Sequence, residues 1–153
     1  MATPLLAVAA AALLGATAPA HGRATATCAA RSLRYETIRI EGAAGTFLIS
    51  LRVRTTGARC ELYGYPKLQI IGRTGPLPTH VRHGGLAILN RPARRVVLAQ
   101  TRPAKLLVAY NAVPSGSETS CPRGVALAVD GVRVRVATRA CRGSLRESPY
   151  VAA

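Results

Sequence analysis

From residue 28 onward the chain alternates apolar and polar side chains with period two, in short runs separated by turns containing glycine or proline. No stretch keeps the three-to-four spacing of an amphipathic helix. The clearest run is Val125-Ala126-Leu127-Ala128-Val129, then Asp130-Gly131, then Val132-Arg133-Val134-Arg135-Val136. Asp-Gly between two such runs suits a two-residue type I′ turn, in which both central residues need a positive φ. That turn sets the register. Val129 faces Val132, Leu127 faces Val134 and Val125 faces Val136. Cross-strand partners share a side, so these six make a core face, and Ala126, Ala128, Arg133 and Arg135 make a wet, cationic one. Continued outward, the ladder brings Cys121 opposite Ala140, beside Cys141, with Pro122 and Gly124 placed to slip it by one residue.

A second hairpin is less regular. Phe47, Ile49, Leu51 and Val53 form its inner face, while Ser50, Arg52 and Arg54 point outward. Read as a four-residue loop, Gly42-Ala43-Ala44-Gly45 pairs Phe47 with Ile40 and Ile49 with Ile38. Leu51 would then meet Glu36 and Val53 would meet Arg34, so a bulge near Thr37 is required to return Tyr35 and Leu33 to the core face. The register carries Cys28 alongside Arg59 and Cys60. Further strands are expected at 67–71, about 85–89, 96–99 and 105–111, with Pro76, Pro78, Pro92, Pro103 and Pro114 in the connections. Seven to nine short strands of this kind predict an all-β fold, a two-sheet antiparallel sandwich of immunoglobulin-like type.

Four cysteines permit three pairings. The nested hairpins favour Cys28–Cys60 and Cys121–Cys141, each closing a loop worth roughly 3–4 kcal/mol in the chain-entropy model. Such staples matter in a chain of net charge +15 with one Phe and no Trp. The first twenty residues carry no charged side chain, and Leu5 to Leu14 form an apolar run too short to anchor in a bilayer. Gly15 breaks that run, and Ala18-Pro19-Ala20 offers the small residues of a signal-peptidase site. The expected organisation is a signal peptide at 1–20, a linker at 21–27 and one disulfide-bonded domain at 28–152. Matched cysteines fit the oxidising space outside the cytoplasm. Residues 24–27, Ala-Thr-Ala-Thr, lack the pattern that lipoprotein processing reads at Cys28, so a soluble, secreted monomer with no membrane anchor after cleavage is expected.

With these elements in place, the chain resembles domain of unknown function 4232, a family of secreted proteins and lipoproteins of actinobacteria. The likeness rests on Cys28, on Cys60-Glu61-Leu62-Tyr63-Gly64-Tyr65-Pro66, on Cys121, and on the closing Cys141-Arg142-Gly143-Ser144-Leu145-Arg146-Glu147-Ser148-Pro149. Gly64, Tyr65, Pro66, Gly143, Ser148 and Pro149 carry it most specifically. It covers residues 28–152 and implies the β-sandwich already read from the pattern. It implies no activity. Gln100-Thr101-Arg102-Pro103 stands where the family usually has Pro-Gly, and the strong positive charge is not a family trait.

Candidate chemistry is sparse. His80 and His83 lie three apart, which on a strand puts them on opposite faces, so they read as solvated residues rather than a metal pair. The single Asp, Asp130, serves the hairpin turn, and no Gly-x-Ser-x-Gly elbow exists. Tyr35 and Tyr110 sit among apolar neighbours as core, and Tyr63 and Tyr65 are placed to pack beside the Cys60 bridge. Exposed stacking aromatics for nucleic acid are therefore not expected. Nineteen of the 21 basic residues are arginine, an excess that base composition rich in G and C explains in part. What remains is a cationic surface, with Arg52, Arg54, Arg133 and Arg135 as candidate contacts to anionic cell-wall polymers or lipid headgroups. The expectation is a non-enzymatic secreted domain without cofactor; the competing class is a small hydrolase or metal-binding protein.

Overall fold

The computed structural model describes residues 24–153, and the expected signal peptide lies outside them. Eleven strands follow in order: β1 Leu33–Ala43, β2 Thr46–Thr55, β3 Cys60–Leu62, β4 Leu68–Ile71, β5 His80–His83, β6 Val96–Leu98, β7 Ala104–Asn111, β8 Gly124–Val129, β9 Val132–Thr138, β10 Ser144–Glu147 and β11 Val151–Ala152. One layer is a six-stranded sheet in the order β1-β2-β7-β10-β5, with β11 also paired to β7. The other layer is made of β4-β8-β9 and the short pair β3-β6. One continuous core takes Ile49, Leu51, Val53, Leu106 and Val108 from the large sheet, Ile70, Leu127 and Val134 from the three-stranded sheet, and Leu62 and Leu98 from the pair. The all-β sandwich-like fold is as expected, with more strands than expected, one parallel strand pair, β10 with β5, and a parallel bridge between Thr27 and Glu61.

The β8–β9 turn forms as read, with Asp130 at φ 48° and Gly131 at φ 82°. Val129 pairs with Val132 and Leu127 with Val134. Val125 does not face Val136 in a regular pair. Arg135 pairs with Ala126 and Thr138 with Gly124, so Val136 and Ala137 together oppose Val125. Val136 keeps its place in the core, and Val125 is 37% exposed. Ala126 was expected to be wet and is buried. It lies on the middle strand between Ile71 and Arg135, and its methyl group is shorter than either flanking side chain.

The β1–β2 turn is tighter than expected. Ala43 pairs with Thr46 across a two-residue turn, Ala44-Gly45, at φ 49° and 80°. Ile40 therefore pairs with Ile49, and Gly42 sits opposite Phe47. A Cβ on Gly42 would stand 2.7 Å from Phe47 Cε1, so this glycine makes room for a ring rather than a turn. The required bulge forms at Ile38, between Thr37↔Leu51 and Arg39↔Ser50, and restores Tyr35↔Val53 and Leu33↔Thr55.

Residues 85–89 are not a strand. Leu89 and Asn90 both donate their amides to Leu86 O, closing a turn. It folds over the outer face of the large sheet, where Leu89 is buried against Leu107 and Ala109. The strand in this region is β5, alongside β10.

Both expected disulfides are formed, with Cα–Cα separations of 4.8 Å for Cys28–Cys60 and 4.3 Å for Cys121–Cys141. They span 32 and 20 residues. Replacing either pair by alanine is expected to lower the unfolding free energy by roughly 3–4 kcal/mol. Urea denaturation followed by circular dichroism measures it, and a loss under about 1 kcal/mol in both variants contradicts the stapling role.

Candidate functional site

The two motif segments meet at one point of the fold. Gly64 O accepts the Tyr150 amide at 3.0 Å, joining the loop after β3 to the residue before β11. Ser148 exchanges backbone bonds with β7: its amide donates to Leu107 O at 2.9 Å, and its Oγ accepts from Leu107 N at 3.0 Å. The same hydroxyl donates to Pro149 O at 2.9 Å. Gly143 has φ +61°, and a Cβ there would collide with Pro78 O. These motif residues are positioning elements whose polar atoms are used internally.

Behind them lies a titratable cluster. Asp130 does more than terminate the hairpin turn. Its Oδ1 accepts from Lys67 N at 2.8 Å and its Oδ2 from Tyr150 Oη at 2.6 Å, while Tyr150 and Tyr35 share a hydrogen bond of 2.7 Å between hydroxyls. Burial raises both phenols above their ordinary value, so they act as neutral hydrogen-bonding groups.

Glu147, at the end of β10, is fully buried. The parallel register sets it opposite His83, whose Nδ1 lies 3.0 Å from Glu147 Oε1. This is a close approach rather than an aligned bond, and neither carboxyl oxygen has a hydrogen bond of regular geometry. Burial first, and the Asp130 carboxylate second, push Glu147 from 4.5 up to about 8. His83 is 59% exposed, and the Tyr65 ring stacks over it with centroids 3.9 Å apart. Tyr65 thus packs on an imidazole rather than beside the disulfide, and Tyr63 faces solvent. Tyr110 is core as expected, stacked on Phe47.

The four candidate arginines do not form one patch. Arg54, Arg133 and Arg135 are exposed, and Arg52 is half-buried and 3.5 Å from Glu36. The β2 pair lies on the outer face of the large sheet, whereas the β9 pair lies on the outer face of the opposite layer, because Ile49, Leu51 and Val53 on one strand and Val134 and Val136 on the other share the core between them. The sequence pattern missed a third set, Arg73, Arg123 and Arg139, which lines an open cleft at one end of the β4-β8-β9 sheet. All three stand just outside strands, where alternation carries no signal. His80 and His83 are both on β5 and exposed, and they do not converge. The one group of potential metal ligands found among the described residues, Glu118 with Cys121 and Cys141, has its two sulfurs joined in a disulfide.

The family model described as Domain of unknown function (DUF4232) matches residues 28–149. Comparisons with curated proteins and with solved structures return no match.

Glu147 gives the cluster a pH signature. With its folded pKa raised, it favours the native state fully below about pH 4.5, and this contribution is lost as pH rises through about 8. The Glu147→Gln variant is expected to hold its stability across that interval while the wild type declines. Denaturation midpoints taken from pH 4.5 to 9 measure this, and parallel curves would show that the carboxyl does not titrate as described.

Proposed function

The chain belongs to the DUF4232 family, and we propose that it is a non-catalytic extracytoplasmic domain that binds anionic polymers of the cell envelope through its cationic surface. The observation that carries this reading is the fate of the six carboxylates. Glu41 pairs with Arg39, Glu36 with Arg52 and Glu61 with Arg95. Glu118 accepts the Arg142 amide, Asp130 is held by Lys67 and Tyr150, and Glu147 is buried against His83. Every acid in the sequence is engaged, and among the described residues they pair with only three arginines. No carboxylate is left to neutralise Arg54, Arg133 and Arg135 or the cleft arginines. A net charge of +15 is therefore displayed rather than compensated, and it raises the local concentration of polyanions.

Two disulfides support an oxidising compartment. No helix among the described residues is long and apolar enough to cross a membrane. The absence of catalysis is supported by the cluster itself: its hydroxyls are buried phenols, its serine is bonded to backbone on both sides, and all four cysteines are in disulfides.

Isolated cell-wall material is expected to retain the protein at low salt and to release it on moving to moderate salt, as surface attraction falls within the Debye length. Pelleting assays across a salt series measure retention. Absence of binding at low salt overturns the reading.

A further inference from the structure

Among the hollows of the described surface, one is lined by three arginines, and it differs from the sheet faces in shape and origin. The cleft lined by Arg73, Arg123 and Arg139 has a volume of about 800 Å³. Its three arginines come from separate places: the turn after β4, the approach to β8 and the exit from β9. All are exposed, none is paired with a carboxylate among the described residues, and no carboxylate lines the cleft. Three uncompensated guanidinium groups around one hollow repel one another, and an anion seated there relieves that repulsion. Leu77, Val125 and Ala137 share the lining with them. Val125 is available because the extra residue in β9 breaks its pairing, so the bulge that shifts the register also supplies an apolar surface to the cleft.

We propose that this cleft is a binding site for a linear polyol-phosphate polymer, with successive phosphates on the arginines and the intervening carbon backbone over Leu77, Val125 and Ala137. Guanidinium favours phosphate because its planar fork can donate two parallel hydrogen bonds, and one such group suits one phosphate. Three such groups in one lining with apolar side chains suit a chain of repeated charge and carbon backbone better than a single ion. The lining contains no aromatic side chain. An adjoining hollow of about 430 Å³ shares Ala137, Thr138 and Arg139 and is bordered by Phe47 and Tyr110, but those rings stack on each other at 5.3 Å and 12°. The aromatic platform that holds the bases of single-stranded nucleic acid is therefore lacking.

This assignment rests on the envelope-binding reading and can fail separately from it. Fluorescence anisotropy of labelled poly(glycerol phosphate) titrated with the full chain supplies the measurement. Two triple variants remove the same charge: Arg73→Gln, Arg123→Gln and Arg139→Gln in the cleft, and Arg54→Gln, Arg133→Gln and Arg135→Gln on the sheet faces. At constant moderate salt the cleft variant is expected to lose about tenfold or more in affinity, and the face variant less than threefold. Val125→Asp, which places a negative charge on the apolar strip without removing an arginine, is expected to weaken binding as well. Circular dichroism and disulfide mapping establish that each variant is folded. Equal losses in the two triple variants overturn the cleft while leaving surface adhesion standing. Thymidine oligonucleotides with the same number of phosphates, binding as tightly as the polyol polymer, overturn the ligand class. A wild-type chain that binds no polyanion even at low salt overturns both readings together.

Discussion

Single-residue bulges set the register of both long hairpins of this fold, and one of them positions a disulfide. Up to Ile38, the β1–β2 ladder counts from the Ala44-Gly45 turn; beyond the bulge its pairing moves by one residue, to Leu33↔Thr55. Before Leu33 the chain passes through the short 3-10 segment Ala30–Ser32, and Thr27 then lies parallel to Glu61, so Cys28 meets Cys60 outside that ladder. The β8–β9 ladder also shifts by one residue, and there the shift reaches a disulfide. Its turn register would set Cys121 against Ala140, and the extra residue opposite Val125 advances the partner to Cys141. Without that extra residue Cys121 would face Ala140 instead of Cys141, and a one-residue slip in a pleated strand also turns a side chain to the other face. At this hairpin the staple and the irregularity are one device. A chain with a single Phe, no Trp and heavy self-repulsion needs that device more than most domains of its size.

The parts legible in the sequence are those governed by local rules. Period-two alternation and the Asp130-Gly131 turn located β8 and β9, and the conflict of Leu51 with Glu36 and of Val53 with Arg34 revealed a bulge before its position was known. Both disulfides followed from the same arithmetic. What stayed hidden is non-local or lacks periodicity. Strand β5 is His-Val-Arg-His, too polar to announce itself, and it exists because β10 lies parallel to it. Residues 85–89 read as a strand because Leu86, Ile88 and Leu89 are apolar. Their task is instead to cap the outer face of the large sheet, a burial that does not require pairing. Gly42 read as part of a loop because glycine usually means a turn, whereas here it accommodates the Phe47 ring.

The candidate site was harder to read for a related reason. Asp130 was legible as a turn residue, and nothing in its immediate neighbours signals that Tyr150 and Tyr35 converge on it from the far end and the beginning of the domain. Glu147 stands in a run, Arg146-Glu147-Ser148, whose composition suggests solvent, and the β10–β5 and β10–β7 pairings bury it completely. The motif glycines and serine were visible as a pattern, but their role is structural: Gly64 holds Tyr150, Gly143 packs against Pro78, and Ser148 bonds to Leu107. This internal use of acids connects the core to the surface. Asp130, drawn into a turn, and Glu147, drawn into the interior, are two fewer carboxylates to balance the arginines outside.

That coupling bears on whether the positive charge is more than a by-product of base composition. A compositional bias raises the number of arginines without regard to where carboxylates lie, and it accounts for isolated guanidinium groups on exposed strand positions such as Arg133 and Arg135. It does not by itself account for three arginines gathered from separate loops around a hollow with no acid in its lining. Such a gathering works against folding, because like charges approach one another in a compact state. The chain tolerates it where two of the contributing segments, those of Arg123 and Arg139, lie within two residues of a disulfide-bonded cysteine. The Cys121–Cys141 bridge holds the approach to β8 and the exit from β9 together, and so keeps these guanidinium groups on the rim of one cleft against their mutual repulsion. The covalent framework that compensates for a modest core is thereby also the element that permits a concentrated charge.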